Sequence, residues 1–365
     1  MKYAIPLVLC TICLVLSGCV EKEILDDLYL ETGKAYDYVS ENKIRGTAVF
    51  PIYMPDKTIE NGFLSEEASS TQEVIEKIER RAQQPLVRGA LDVVLIGEKL
   101  SEKGIIDIAD SLQRDASVGA RVFLIITEGE AGEVIQGNYG NRGNGIYLSN
   151  LIQHNINKRE LPETNLHMFL YDYYQKGQSS YLPIVKKTDD GNVKITGIAL
   201  LSYDQVVGKI PDEEMFFFKI MVDRMAEGSH VVKMGKNPKK PQKNVEASVT
   251  SLYSKHKITI DRQSSPVNVG IEVTIDGIIK EYTGELLGSK QMAAVEAQMK
   301  KDIEEKCLAL VKSFQEKGID PLGIGQYQKH GVRGFDIKEW KKDIYPKADI
   351  KVKAKVKILE AGTVE

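Results

Sequence analysis

Two stretches constrain the fold most: LDVVLIG (residues 91–97) and ARVFLIIT (residues 120–127), each a nearly unbroken apolar run of strand length. A strand with one wet face alternates apolar and polar residues, so a strand without alternation must be covered on both faces. Between the two runs lies SEKGIIDIADSLQRD (residues 101–115), a helical pattern interrupted early by Gly104. Doubly covered strands separated by helices fold as a sheet with parallel neighbours, because a parallel pair needs a crossover long enough to hold a helix. An α/β unit is therefore expected. Upstream, KAYDYV and IRGTAVFPIYM read as strands, DKTIENGF as a polar connection, and TQEVIEKIERRAQQ (residues 71–84) as a helix capped by Ser70 or Thr71. The stretch GNYGNRGNG (residues 137–145) lacks the Lys-Ser/Thr ending of a phosphate-cradling loop and reads as a flexible loop of turn-forming residues.

Beyond a Tyr-rich stretch (residues 171–185), KITGIALLSYDQVVGKI reads as two strands joined at Asp204 and Gln205. Pro211 then opens a helix, with Asp212, Glu213 and Glu214 facing the positive end of its dipole. Phe218, Met221, Val222 and Met225 share one face of it; Phe216 and Phe217 do not both fit that stripe, so one of them is expected to pack against a neighbouring domain or another protein. The basic KNPKKPQKN (residues 236–244) reads as a linker. VEASVTSLY, HKITI and VNVGIEVTIDG follow as antiparallel strands, then a long helix ends at Gly318. Its stripe is Met292, Val295, Met299, Ile303, Cys307, Leu310 and Phe314, which makes Cys307 a buried structural thiol. In the terminal strand, DIKVKAKVKILE, Lys351, Lys353, Lys355 and Lys357 occupy one face. Those lysines either guard a sheet edge, pair with acidic residues such as Glu272 and Asp276, or form a patch for anionic lipid or protein. The expected organisation is α/β (α+β), with three mixed domains at 19–185, 186–235 and 245–365 and the linker at 236–244.

The chain opens with Lys2, a mostly apolar run from Ala4 to Leu16, and LSGC. This run is too short for a membrane span of about 20 apolar residues and has the layout of a secretory signal. The order Leu16, Ser17, Gly18, Cys19 resembles the bacterial lipobox, which implies cleavage between Gly18 and Cys19, removal of residues 1–18, and a diacylglycerol thioether with N-acylation on Cys19. Each buried methylene contributes about 0.8 kcal/mol, so several acyl chains hold firmly where one holds marginally. Cys19 and Cys307 would be the cysteines kept, and a lipidated Cys19 leaves no internal disulfide.

Net charge is −3 on 365 residues, and neither a broadly basic composition nor an RNA-stacking motif points to nucleic acid as a partner. The five histidines are scattered, without HExxH or His-x-His, and no GxSxG elbow or activated cysteine is present. Neither an enzyme, a cofactor nor a metal centre is indicated.

Four stretches together resemble the Ger(x)C, or GerAC-like, lipoprotein family. They are the lipobox with EILDDL after it, LQRDASVGARVFLIITEGEA, ITGIALLSYDQVVGKIPDEE, and DPLGIGQYQKHGVRGFDIKEWKKDIYPKADIKVKAKVKI. The resemblance implies a non-enzymatic C subunit of a nutrient germinant receptor, anchored on the outer surface of the spore inner membrane and assembled with polytopic A and B subunits. It also implies structural roles for motif positions: Arg114 and Asp115 as an ion pair or cap, Gly197 and Gly208 around the hairpin, Gly323 and Gly325 in a turn, and Trp340 as a packing anchor. The alternative from another class is a lipid-anchored solute-binding protein of a transporter, which needs two lobes and a polar cleft; a cell-wall hydrolase is a third reading.

Overall fold

The computed structural model describes residues 27–175, 177–236, 244–329, 331 and 334–361. Its larger sheet has eight strands in the order β10-β9-β8-β7-β6-β2-β3-β4. The two apolar runs form its centre: β6 (Val93–Gly97) and β7 (Phe123–Thr127) are buried at all five positions each and pair in parallel. β2 (Gly33–Ser40) flanks β6 and β8 (Tyr181–Lys187) flanks β7, both also parallel. β3 (Lys43–Tyr53) and β4 (Ile59–Ala68) continue antiparallel on one side, and β9 (Val193–Ser202) and β10 (Gln205–Pro211) on the other. A short pair, β1 (Tyr29–Leu30) with β5 (Leu86–Val87), stands apart.

Period-two alternation divides β6 and β7 between two apolar layers. Val94, Ile96, Leu124 and Ile126 pack with α1 (Thr71–Arg81), α2 (Glu98–Ser101), α3 (Ile106–Arg114) and α6 (Leu166–Tyr174). Val93, Leu95, Phe123 and Ile125 pack with α4 (Ala131–Ile135), α5 (Asn144–Lys158) and α7 (Asp212–Val222). The local signals place α1 as expected: Ser70 caps it by accepting from the Glu73 N–H, while the Glu73 carboxylate accepts from the Ser69 N–H.

The smaller sheet runs β11-β12-β13-β14, with β11 (Gly228–Lys236), β12 (Asn244–Asp261) and β13 (Asn268–Tyr282) antiparallel and β14 (Asp349–Ala361) parallel to β13. The parallel pair needs a crossover, and α8 (Ser289–Lys317) lies within it. Gly318 ends α8 in the left-handed region at φ 64. Val295, Met299, Ile303, Cys307, Leu310 and Phe314 are buried as the spacing predicts, with Val311 added to the stripe, while Met292 is half-buried. Cys307 Sγ lies 3.5 Å from the Phe217 carbonyl, and burial pushes its thiol up, well above the ordinary cysteine range.

Several expectations change. Residues 56–63 are not merely a connection, because Ile59 begins β4, whose exposed edge needs no continuous apolar pattern. The hairpin turn is Tyr203–Asp204, one residue early, with Tyr203 at φ 57. Pro211 closes β10 and caps α7, which starts at Asp212, and Met225 lies beyond α7 and is exposed. The stretch 137–145 is pinned: Asn144 is fully buried, donates to the Ile135 carbonyl at 2.7 Å, and its backbone N–H bonds Asn61 at 2.8 Å. VEASVTSLY and HKITI belong to one strand, β12, bent by a bulge at Leu252.

The unit placed at 186–235 is divided between the sheets, β9 and β10 extending the large one and β11 edging the small one. In the stretch 236–244, residues 237–243 lie outside the described residues; Lys236 and Asn244 on either side pair with each other, in one and the same sheet. Phe216, Phe217 and Phe218 are all buried within this chain, because α7 is wedged between the sheets. Tyr181 of β8 meets Phe218 edge-on at 5.0 Å, and Phe218 meets Phe314 of α8 at 5.8 Å. One apolar core thus runs from the large sheet through α7 into the small one.

Candidate functional site

The most elaborately built place in the molecule is the junction where the segment after α8 returns to the large sheet. Asp320, fully buried, caps α9 (Ile324–Lys329): its carboxylate accepts from the Ile324 N–H at 3.0 Å and the Gly325 N–H at 2.7 Å. Its backbone N–H donates to the Ser179 hydroxyl at 3.1 Å, and the Ser179 N–H donates to its carbonyl at 2.9 Å. Burial pushes the Asp320 carboxyl up to about 7, against the pull of the N–H groups of Gly325, Ile324 and Gly323.

Gly323 and Gly325 sit in this junction for different reasons. Gly323 has φ 67, which L side chains rarely adopt. A Cβ on Gly325 would lie 2.7 Å from both the Gly177 backbone and Trp340 Nε1, so backbone, backbone and indole are stacked without room for a methyl group. Trp340 is fully buried between Phe335 and Tyr345, with ring centroids at 6.0 and 5.8 Å. Trp340 Nε1, the Tyr345 hydroxyl and Gln328 Oε1 have no hydrogen-bond partner among the described residues.

The other motif positions lie elsewhere. Gly197 and Gly208 are in the β9–β10 hairpin; a Cβ on Gly197 would meet the Ile210 carbonyl at 2.2 Å, and one on Gly208 would meet Lys317 of α8 at 2.9 Å. Arg114 and Asp115 do not pair with each other. Arg114 bonds Asp110 one turn back at 2.6 Å, because i,i+4 spacing puts both on one helix face. Asp115 has left the helix as its C-cap and bonds Arg88 and Ser117. Cys19 and Gly18 lie outside the described residues.

A crevice of about 810 Å3 opens at the carboxyl ends of β6, β7 and β8, the usual ligand position in open α/β sheets. Its central acid, Glu128, is already engaged by Lys209, by Lys186 at 3.5 Å and by the Thr196 hydroxyl at 2.8 Å. Burial pushes this carboxyl up, but Lys209 and Thr196 outweigh it and hold it below the usual carboxylate range. Among the described residues no cluster of three His, Cys, Asp or Glu side chains is gathered for a metal. The crevice offers internal ion pairs, and the junction offers rigid packing. Sequence reasoning quoted Asp320 within a motif without giving it a role, although Asp ahead of glycines at +3 and +5 carries a capping signal; Ser179, 141 residues away, has no local signal at all.

With this geometry in view, the comparisons are specific. Residues 21–187 match the family described as the spore germination protein N-terminal domain, and residues 196–362 match the C-terminal family described as spore germination B3/GerAC like. The spore germination protein GerQC of Bacillus cereus is 30% identical over 354 residues, 96% of each chain. The spore germination protein KC of Bacillus subtilis (strain 168) is 30% identical over 99 residues, 26% of this chain and 24% of that protein. The crystal structure of the GerBC protein shares the fold, with a TM-score of 0.58 at 18% identity, covering 90% of this chain and 97% of that one.

Proposed function

The chain belongs to the GerAC-like family of spore germination proteins, and from that premise we propose that it is the C subunit of a nutrient germinant receptor. The observation that carries this reading is the pair of family matches, which together span nearly the whole chain. In this reading the mature protein is a lipoprotein held through Cys19 on the outer surface of the spore inner membrane, without enzymatic activity, beside polytopic A and B subunits. Among the described residues no helix is long and apolar enough to cross a membrane; in this reading hydrocarbon on Cys19 is the anchor. A tether confines the body to the membrane surface and raises its effective concentration beside membrane partners, so modest contacts suffice for assembly.

The solute-binding alternative calls for two lobes hinged across a cleft. A single core continuous from one sheet to the other counts against such hinging. The discriminating experiment isolates spore inner membrane and affinity-purifies the tagged protein. It should bring down two multi-span proteins, and Cys19→Ser should shift it out of the membrane fraction. Recovery without membrane companions, or full membrane retention of unacylated Cys19→Ser, would overturn the proposal.

A further inference from the structure

Where β12 and β14 flank β13, the solvent face of the four-stranded sheet carries six exposed lysines, Lys255 and Lys257 on β12 and Lys351, Lys353, Lys355 and Lys357 on β14; Lys233 and Lys236 on β11 and Lys280 on β13 are exposed toward its other end. Register sets them in adjacent ranks, Lys257 and Lys353 on either side of Glu272, Lys255 and Lys355 on either side of Thr274. β12, β13 and β14 contain no arginine.

Two ordinary uses for these lysines are already filled. β14 is an edge strand, but its outward N–H groups at Ala354 and Ile358 donate to Glu304 at 2.9 Å and Glu296 at 2.7 Å, both on α8. Helix carboxylates therefore blunt the edge, while the lysines stand on the face. Ion pairing engages Lys355 with Glu272 at 2.8 Å and Lys351 with Asp349 at 3.1 Å. Lys255, Lys257, Lys353 and Lys357 make no ion pair among the described residues. The carboxylates within the lysine ranks are Glu272 and Asp276, with Asp349 and Asp261 at one end, so the face keeps an excess of positive charge.

Beside the lysine field two leucines break the polar pattern. Leu252 and Leu359 are 49% and 45% exposed. Each is the extra residue of a bulge: β12 shifts register between Ser251 and Tyr253, and β14 passes from Ile358 opposite Gly277 to Glu360 opposite Ile278. The two bulges flank the same step of β13, residues 276–278, and bulges re-aim side chains. Between Lys257, Lys351 and Lys353, at the other end, the face dips into an open hollow of about 610 Å3 beside Gly270.

Protein interfaces enrich arginine and aromatic residues at their centres and deplete lysine. A face of lysines with flanking leucines and no arginine has the opposite composition, which suits phosphate headgroups attracted to ammonium groups and acyl chains reached by short apolar tips. We propose that this sheet face docks on an anionic phospholipid bilayer. The contact is separate from the lipid on Cys19, and its test omits that lipid, so the failure of either leaves the other standing.

The experiment uses a chain starting at Val20, which keeps every described element, and sedimentation with vesicles of phosphatidylglycerol or of phosphatidylcholine. The chain should bind phosphatidylglycerol and not phosphatidylcholine, and lose binding as added salt shortens the screening length from about 10 Å at 0.1 M to about 3 Å at 1 M. Lys353→Gln with Lys357→Gln should weaken binding about 30-fold, from about fivefold per lysine. Lys300→Gln with Lys301→Gln, exposed positions of α8 with 53% and 63% side-chain accessibility, should leave it nearly unchanged. Leu252→Ala with Leu359→Ala should weaken it severalfold at constant salt dependence. Absence of phosphatidylglycerol binding, or equal losses in the two lysine pairs, would overturn the proposal. So would unchanged vesicle binding by the β14 variant together with loss of its membrane protein companions, which would assign the face to an anionic protein.

Discussion

The two sheets bury their strands differently. Helices cover both faces of the eight-stranded sheet, whereas the four-stranded sheet has α8 on one face and water on the other. The difference is written residue by residue. β7 reads FLIIT and is buried throughout, while β14 alternates Ile350, Val352, Ala354, Val356 and Ile358 with exposed lysines. A doubly covered strand such as β6 or β7 gains stability from every side chain and keeps neither face for a partner. A singly covered one stakes its stability on one face and leaves the other free for chemistry unrelated to folding.

The largest test concerns the core the sheets share. Trp340→Ala removes a fully buried side chain and should cost about 3–5 kcal/mol, read by chemical denaturation followed by both near-UV and far-UV signals. Because the aromatic chain Tyr181, Phe218 and Phe314 links the sheets, the two signals should still fall together. A four-stranded unit that melts first on its own would break the comparison, since each sheet would then have an independent core.

A smaller effect belongs to the closed sheet alone. Asp172 on α6 is 7% exposed, and burial pushes its carboxyl up to about 7. The folded state then keeps a proton that the unfolded chain gives up near pH 4, so the stability linked to that proton is present below about pH 4 and is lost as pH rises through about 7. Asp172→Asn should therefore raise stability by up to about 4 kcal/mol at pH 8 and change it little at about pH 4, measured as unfolding midpoints across pH. An equal gain at both ends would mean the carboxyl is not held protonated.

The smallest effect belongs to the open face. Lys355 and Glu272 form a solvent-exposed pair, with side-chain accessibilities of 67% and 45%, and such pairs contribute little. Lys355→Gln should leave the melting temperature unchanged. A clear drop would show that the lysine face supports the fold, and would blur the contrast between the two sheets.

Legibility in the sequence followed locality. The central strands, α1 with its Ser70 cap, and the α8 stripe ending at Gly318 depend on residues within a few positions of one another, and they lie where periodicity and capping put them. The chain's division did not. β10 and β11 are both short and mostly solvent-facing, and only their pairing partners assign the first to one sheet and the second to the other. The motif glycines were legible as glycines, but the reason for Gly325 is the backbone at Gly177. Arg114 and Asp115, adjacent in sequence, look like a pair; helix geometry turns them to different partners.

By itself, then, the amino-acid order determined the kinds of element, which faces are apolar, the family, and the expectation of an anchor at Cys19. The tertiary structure decided that α7 joins the two sheets in one core, that Asp320 ties the last segment to Ser179, and that α8 carboxylates take up the outward N–H groups of the β14 edge. The reason is physical: side-chain polarity and backbone preference act over one or two turns of chain, while burial and charge pairing depend on neighbours that chain separation does not reveal.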